Sequence, residues 1–549
     1  MAKPSITPHL SGDFNLGGQQ AEADRLLERA FYESGHYKAV QRRDDPRCFL
    51  IGRTGGGKSA ILTHLESILP EHVVRIYPED LSLPYITDLG AIQYLASINV
   101  NLDPLFIALW KHVLLVEVIK HRYKINSLEA KQNFIATLTE KIKKDPSKKA
   151  ALDYLNDFEG KFWCETDERV RDITTRFEEK LDAEAKASFG VPHIGALSAG
   201  ANGSTAMTTE TKAAQVNRFQ RIVNETQLAR LNKMINILDE DILESPHHFT
   251  YVVIDDLDQE WVDERVANTL IRCLFRAVRD LKKVQNLKVV VALRTNIFQE
   301  LEFGGPTGGQ EEKFRDWIIG MRWTPADISN ILDERARVVS QENDMPNILG
   351  IKNLLPAANP SRGNPLKYIL DRTLMRPRDA ITYLNECLSL ASGKVRISWA
   401  EIIKAELPYS RGRLTALRDE WKPTYPGIDR VFERFRRAPV PMSRKELSGK
   451  LDDCILLFAD GTSPGTQWLT ELAQLIMDGM TGRQWEDTYH PMLRLLFNVG
   501  FLGFATSASS KVTYISDDPE FAEQLGNLEP MQFIYIHPAF RSALDTHDL

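Results

Sequence analysis

Residues Cys48 to Ala60 read Cys48-Phe49-Leu50-Ile51-Gly52-Arg53-Thr54-Gly55-Gly56-Gly57-Lys58-Ser59-Ala60. A short apolar run leads into a glycine cluster, and apolar residues return at Ala60, Ile61, Leu62 and Leu65. The pattern predicts a strand, a loop and a helix. Gly52, Gly57, Lys58 and Ser59 hold the spacing G-x-x-x-x-G-K-[ST] of a phosphate-binding loop. Glycines let successive backbone N–H groups turn inward on a polyphosphate, and the helix that follows points its positive end at the same anion. In this reading Gly52, Arg53, Thr54, Gly55, Gly56, Gly57, Lys58, Ser59 and Ala60 form the cradle. Lys58 reaches the β- and γ-phosphates, and the Ser59 hydroxyl ligates Mg²⁺. The bland alternative is a Gly-rich turn that happens to hold a lysine.

A phosphate cradle hydrolyses nothing unless acids hold the metal and position water. Thr250 to Ile254 is a β-rich run that ends in Asp255-Asp256-Leu257-Asp258. Open α/β sheets place ligand groups at the C-terminal ends of their strands. Asp255 is therefore the candidate second metal ligand beside Ser59, holding Mg²⁺ through water. Asp256 is the candidate catalytic residue that orients or deprotonates the attacking water, with Asp258 and Glu260 in reserve. Arg294 ends the next buried run, Lys288 to Leu293, and is either a cation facing the γ-phosphate or an ordinary strand-end charge. Arg376-Pro377-Arg378-Asp379 opens a helix running to Ala391. Arg378 there is either a clamp on the γ-phosphate or half of a capping salt bridge. Arg315 is a candidate arginine for a neighbouring subunit's site.

At 549 residues the chain is too long for one core, and about two to four domains are expected. Its 43% hydrophobic and 26% charged residues are those of a globular chain, and its net charge of -7 excludes a globally basic nucleic-acid binder. The five cysteines stand far apart with no C-x-x-C, which suits a reducing compartment and neither a disulfide frame nor a zinc site. Met1 to Gly18 has no apolar signal region, and Pro104 to Ile119 is too short to span a bilayer. The expectation is a cytoplasmic protein with no membrane partner, and a buried amphipathic helix at 104–119.

The chain organises around the loop. Residues 1–80 are expected to form a loose arm, a helix over Ala21 to Tyr32 and the first half of an α/β core, with Val73 to Tyr77 as its second strand. Residues 81–244 read as a long helical insertion, with helices at 104–122, 127–145, 149–160, 166–187 and 212–238 and a Gly/Ser-rich loop before the last. Residues 245–323 complete a parallel sheet with a last strand near Trp317 to Trp323. Residues 324–392, opened by Thr324-Pro325-Ala326-Asp327, read as a helical lid. Residues 393–549 read as winged-helix-like: a capping box at Ser443 to Glu446, a helix over His490 to Asn498, a hairpin over 501–516, and a strand at Phe533 to Ile536.

Two basic runs stand out. Lys141, Lys143, Lys144, Lys148 and Lys149 read as a solvated helix face. Arg430, Arg434, Arg436, Arg437, Arg444, Lys445 and Lys450 lie in the winged-helix region, where they either contact nucleic-acid phosphates or dock on the acidic remainder of the chain.

With these residues in view, the chain resembles the STAND and KAP-like P-loop ATPases of the AAA+ division. The resemblance rests on Gly52–Ser59, on Asp255-Asp256-Leu257-Asp258 closing the Thr-Tyr-Val-Val-Ile strand, on Arg294, and on Arg376-Pro377-Arg378. It covers residues 21–80 and 245–392 closely and the C-terminal part loosely. It implies ATP and Mg²⁺ as cofactors, and a nucleotide-switched homo-oligomer that engages a protein effector. It further implies a place among bacterial phage-defence or signalling proteins. KAP-like members commonly carry a membrane-spanning insertion where this chain has a long polar one, so membrane anchoring does not carry over. The expected function is an ATP-hydrolysing switch, with ATP between core and lid. The alternative is a DNA-associated ATPase that holds duplex through its winged helix.

Overall fold

The computed structural model describes residues 9–18, 20–80, 90–124, 133, 136–137, 139–140, 166–189, 209–224, 228–257, 264–301, 314–456, 467–479 and 485–548. Asp258, Glu260, the lysines at 141–149, most of the helices expected at 127–160, and the greater part of the Gly/Ser-rich loop lie outside the described residues. The chain divides into two compact units. One comprises Glu33–Arg53 and Lys58–Met321; the other comprises the N-terminal residues through Tyr32, Thr54–Gly57 and Arg322–Leu549.

The first unit is a parallel sheet covered by helices. Its strands are β1 (Phe49–Gly52), β2 (Val73–Ile76), β3 (Thr250–Ile254), β4 (Leu287–Arg294) and β5 (Ile318–Gly320), in the order β2-β3-β4-β1-β5. Every pairing is parallel. All residues of β1 and β3 are buried, as both faces of such a sheet demand, and the Val/Ile/Tyr content of β3 suits that position. β4 lies between the strand that feeds the glycine loop and the strand that ends in acids. The register sets Gly52 beside Arg294.

The insertion shares this core. Its helix Asp103–Tyr123 lies against helix Glu264–Leu281, and Trp110 donates its indole N–H to the Leu270 carbonyl at 2.9 Å. Asp103 binds Arg272 at 2.9 Å and Arg276 at 2.6 Å. Lys111, 1% exposed, pairs with Asp280 and donates to Asn232 Oδ1 at 2.7 Å. The helix expected to be amphipathic is buried around most of its circumference, because helices on several sides cover it. No helix among the described residues is long and apolar enough to cross a membrane.

In the second unit residues 10–16, expected within a loose arm, are packed. Leu10, Phe14 and Leu16 are buried with Leu26 and Ala30 among the lid helices Pro325–Glu342 and Pro377–Leu390. Leu10 N–H donates to Lys394 O at 2.8 Å, and Asn385 Oδ1 accepts from Leu16 N–H at 2.8 Å. The helix expected over Ala21 to Tyr32 is a series of turns. Asp24 explains this: its carboxylate accepts from the Gly18 and Leu26 amides and pairs with buried Arg335 at 2.6 Å, which competes with helix hydrogen bonding. Thr324 and Asp327 form the capping box that opens helix Pro325–Glu342.

Helix Trp399–Trp421 follows, also with a capping box, at Ser398 and Glu401. The C-terminal residues then place β6 (Pro439–Val440), β7 (Met442–Ser443), helices Arg444–Leu456, Gln467–Gly479 and Trp485–Asn498, β8 (Leu502–Ala505) and β9 (Phe533–Ile536) in that order. Strands β7, β9 and β8 form an antiparallel sheet with β9 central. One strand, three helices and two closing strands in this pairing make a winged-helix fold. The expected hairpin partner of β8 is reduced to a single bridge, Phe504 to Thr513.

Candidate phosphate-loop site

β1 delivers the chain into the loop, and helix Lys58–Ile68 carries it away. Gly55 and Gly57 adopt φ of +75° and +92°, which side-chain-bearing residues rarely adopt. Gly52 is required for another reason: a Cβ there would stand 2.6 Å from Met321 Cβ. The Met321 amide donates to Ile51 O at 2.8 Å and holds that neighbour in place. A Cβ on Gly55 would come within 3.1 Å of the Arg378 side chain.

Lys58 is 9% exposed and curls back on the loop, donating to Gly52 O at 2.9 Å and Arg53 O at 3.3 Å. Ser59, in the first turn of the helix, has its hydroxyl beside the Asp255 carboxylate and favours its charged form. Asp255 is 5% exposed. Burial pushes its carboxyl above the usual range, with Asp256 adding to the rise, while Ser59, the Asp256 amide and Lys58 oppose it. Asp256 is partly exposed at φ +58°, and its amide donates to Asp255 Oδ1 at 3.0 Å. Arg294 is partly exposed at the end of β4, and Arg315 is exposed ahead of β5.

The loop tip belongs to the second unit. Trp323 Nε1 donates to Gly56 O at 2.7 Å. Arg376, 5% exposed, donates from Nη1 to Thr54 O at 3.0 Å, and the Thr54 amide donates to Glu420 Oε1 at 3.4 Å. Arg378 lies against Gly55, and its Nε is buried with no hydrogen-bond partner. Burial, then the charge of Arg376, lowers its pKa. Of the two lid arginines, Arg376 makes the capping ion pair with Asp379, at 3.0 Å. Arg378 is left with a buried, unpartnered donor beside the loop. Gly55 and Gly57 at positive φ with this donor fit phosphate oxygens. Ser59 with Asp255 fits a hard divalent cation.

Sequence reasoning did not find Trp323, Met321 or Glu420. Nothing local marks Glu420, which meets the loop only because helix Trp399–Trp421 ends there.

The basic run at 430–450 is partly engaged within its own unit. Arg436 pairs with Glu433 at 2.8 Å, and Arg437 with Asp545 at 3.3 Å. Arg444 donates to Met531 O at 2.7 Å and lies 4.9 Å from the Trp485 ring. On helix Trp485–Asn498, the third of the winged helix, Arg494 and Asn498 bind Glu523 at 3.2 and 3.1 Å, and His490 contacts Ala522 O at 2.8 Å.

Residues 326–418 match the family model described as the FunZ-associated C-terminal helical domain, a stretch that contains Arg376, Arg378, Asp379 and Arg413. No curated protein matches the chain. Among solved structures, the Walker-type ATPase PABY2304 of Pyrococcus abyssi aligns at 10% identity and TM-score 0.34, over 94% of this chain and 95% of that one. The Aeropyrum pernix ORC1 protein in complex with DNA aligns at 12% identity and TM-score 0.28, over 99% of this chain and 94% of that one. The fold itself, a phosphate-loop parallel sheet with a helical insertion, a helical lid and a winged helix, stands on the strand order, the loop and the C-terminal topology described above.

Proposed function

We propose that the chain binds ATP with Mg²⁺ at Gly52–Ser59 and hydrolyses it, using the nucleotide state to control engagement of a partner or of further copies of itself. One observation carries the reading. Ser59 and Asp255, far apart in sequence, come together where a phosphate-loop cation would sit, the Ser59 hydroxyl favouring the charged Asp255 carboxylate. Ser59 and Asp255 would hold Mg²⁺, which when bound would supply charge neutralisation for the phosphates.

The residues divide the work. The glycine-loop amides bind phosphate, and Lys58 exchanges the Gly52 and Arg53 carbonyls for phosphate oxygens. Arg378 brings to the loop tip a cation whose Nε lacks a protein partner. Asp256 is the candidate acceptor of the water proton, and its left-handed backbone turns it out of the strand direction. Arg294, beside Gly52, is the candidate γ-phosphate contact. ATP, rather than another nucleoside triphosphate, follows from the family resemblance, as does the role as a defence or signalling switch.

Steady-state phosphate release tests the assignment. Asp256→Ala should retain Mg·ATP binding and lose turnover by about a hundredfold or more. An Asp256→Ala protein with normal turnover would remove Asp256 from the chemistry. Duplex binding is a second reading, favoured by the winged-helix fold and by Arg430, Arg434 and Lys445, which are exposed. It requires that duplex DNA raise turnover and that the binding weaken steeply with salt.

A further inference from the structure

Four charged side chains meet in the interior beside the loop tip. Arg376, Asp379, Arg413 and Glu420 are 5%, 1%, 7% and 9% exposed. Asp379 accepts from Arg376 Nε at 3.0 Å and from Arg413 Nη1 at 2.8 Å, and Arg376 Nη1 also binds Glu420 Oε2 at 3.0 Å. Burial alone would raise the Asp379 carboxyl, but Arg376 and Arg413 outweigh it and hold it at about 2.

The network closes on the backbone of one residue. Arg376 donates to the Thr54 carbonyl while Glu420 accepts from the Thr54 amide, so a single ion pair grips both backbone polar atoms of the residue. Glu420 lies in the last turn of helix Trp399–Trp421. The first half of that helix, through Ile402, Ala405 and Tyr409, is packed in the lid core. Its end, through Leu417 and Trp421, is packed in the winged-helix core. Four buried charges are costly to desolvate, and apolar residues of similar volume often serve stability as well or better. Registry and switching are the best-attested uses of such groups.

We propose that Glu420 is a positioning residue of the phosphate loop, and that through it the occupancy of the loop is transmitted into the winged-helix core. The proposal rests on the nucleotide reading above. A polyphosphate on the loop amides places negative charge beside a carboxylate that already holds the Thr54 N–H. The two repel in a poorly solvated setting, where Coulomb energies are large. A shift of Glu420 is a shift of Leu417 and Trp421, its neighbours on the same helix end, and both are fixed in the winged-helix core.

Hydrogen exchange of the full chain, read by mass spectrometry with and without Mg²⁺ and a slowly hydrolysed ATP analogue, tests this. In the wild type, exchange should change at residues 52–62 and also at 414–456. Glu420→Gln should bind the analogue within about tenfold of wild-type affinity, keep the change at 52–62 and lose the change at 428–456. Glu420→Asp retains the charge but draws it back from Thr54, and it should lose the distal change too. It is the variant to read if Glu420→Gln does not fold. A variant that transmits the change as the wild type does, or a wild type whose change stops at the loop, would overturn the proposal. A wild type with no change at 52–62 would instead overturn the nucleotide reading.

Discussion

The Ser59 hydroxyl lies beside the Asp255 carboxylate and favours its charged form, bringing the first turn of the loop helix to the residue after β3. The two side chains meet because β1 and β3 run parallel on either side of β4, so their C-terminal ends open on the same edge. A buried carboxylate with one amide bound to it and one hydroxyl beside it is under-solvated, and its raised pKa follows mainly from that burial.

Asp255→Asn should therefore act with opposite signs on stability and on ligand binding. A carboxyl whose folded pKa exceeds its unfolded value stabilises fully below the unfolded pKa and loses that contribution as pH rises through the folded value. At neutral pH the Asn variant should melt higher than the wild type without ligand, and the difference should vanish in acid. The same variant should lose the Mg²⁺-dependent part of nucleotide stabilisation. Thermal melts across pH, with and without Mg·ATP, check both signs.

Arg376 and Arg378 should separate cleanly. Arg376→Ala removes the buried guanidinium that pairs with both Glu420 and Asp379, a change that costs about 3–5 kcal/mol in buried ion pairs. Arg378→Ala removes a guanidinium whose buried Nε has no acceptor, so stability without ligand should hold or rise. Its nucleotide affinity should fall by about 1.5–3 kcal/mol, the range for a hydrogen bond to a charged group. Denaturant melts and calorimetric titration distinguish the two.

Gly52→Ala should destabilise the first unit by about 1–3 kcal/mol through overpacking, because the Met321 Cβ it meets belongs to a strand-bound backbone. Gly320→Ala, one residue away from Met321 and facing open space, is the control and should change the melting temperature little. Equal effects would remove the close-approach explanation.

The sheets were legible where β-forming runs are unbroken. The strands read at Thr250–Ile254 and Phe533–Ile536 are found with those bounds, because unbroken β-branched and aromatic runs permit little else. The loop spacing and the Ser443–Glu446 cap are similarly local signals. Ala21–Tyr32 misled because its apolar spacing suits a helix, while Asp24 binds nearby amides and Arg335 instead. Leu10, Phe14 and Leu16 gave no sign of burial, since their partners lie in helices more than three hundred residues later. Glu420 was invisible for the same reason. Arg376 and Arg378 were both in view, but only the packed structure distinguishes the paired side chain from the one with a buried, unpartnered donor.

Calorimetric titration of the full chain with Mg²⁺ and a slowly hydrolysed ATP analogue, wild type against Lys58→Ala, tests the central claim most directly. Lys58 donates to Gly52 O and Arg53 O, and its removal leaves the loop without the cation that reaches the phosphates. The wild type should bind at one site in a Mg²⁺-dependent manner, gaining about 2.7 kcal/mol of stability at a hundredfold excess over Kd, and Lys58→Ala should show neither heat nor stabilisation. A wild type that binds no nucleotide, or a Lys58→Ala protein that binds as tightly, would contradict the account.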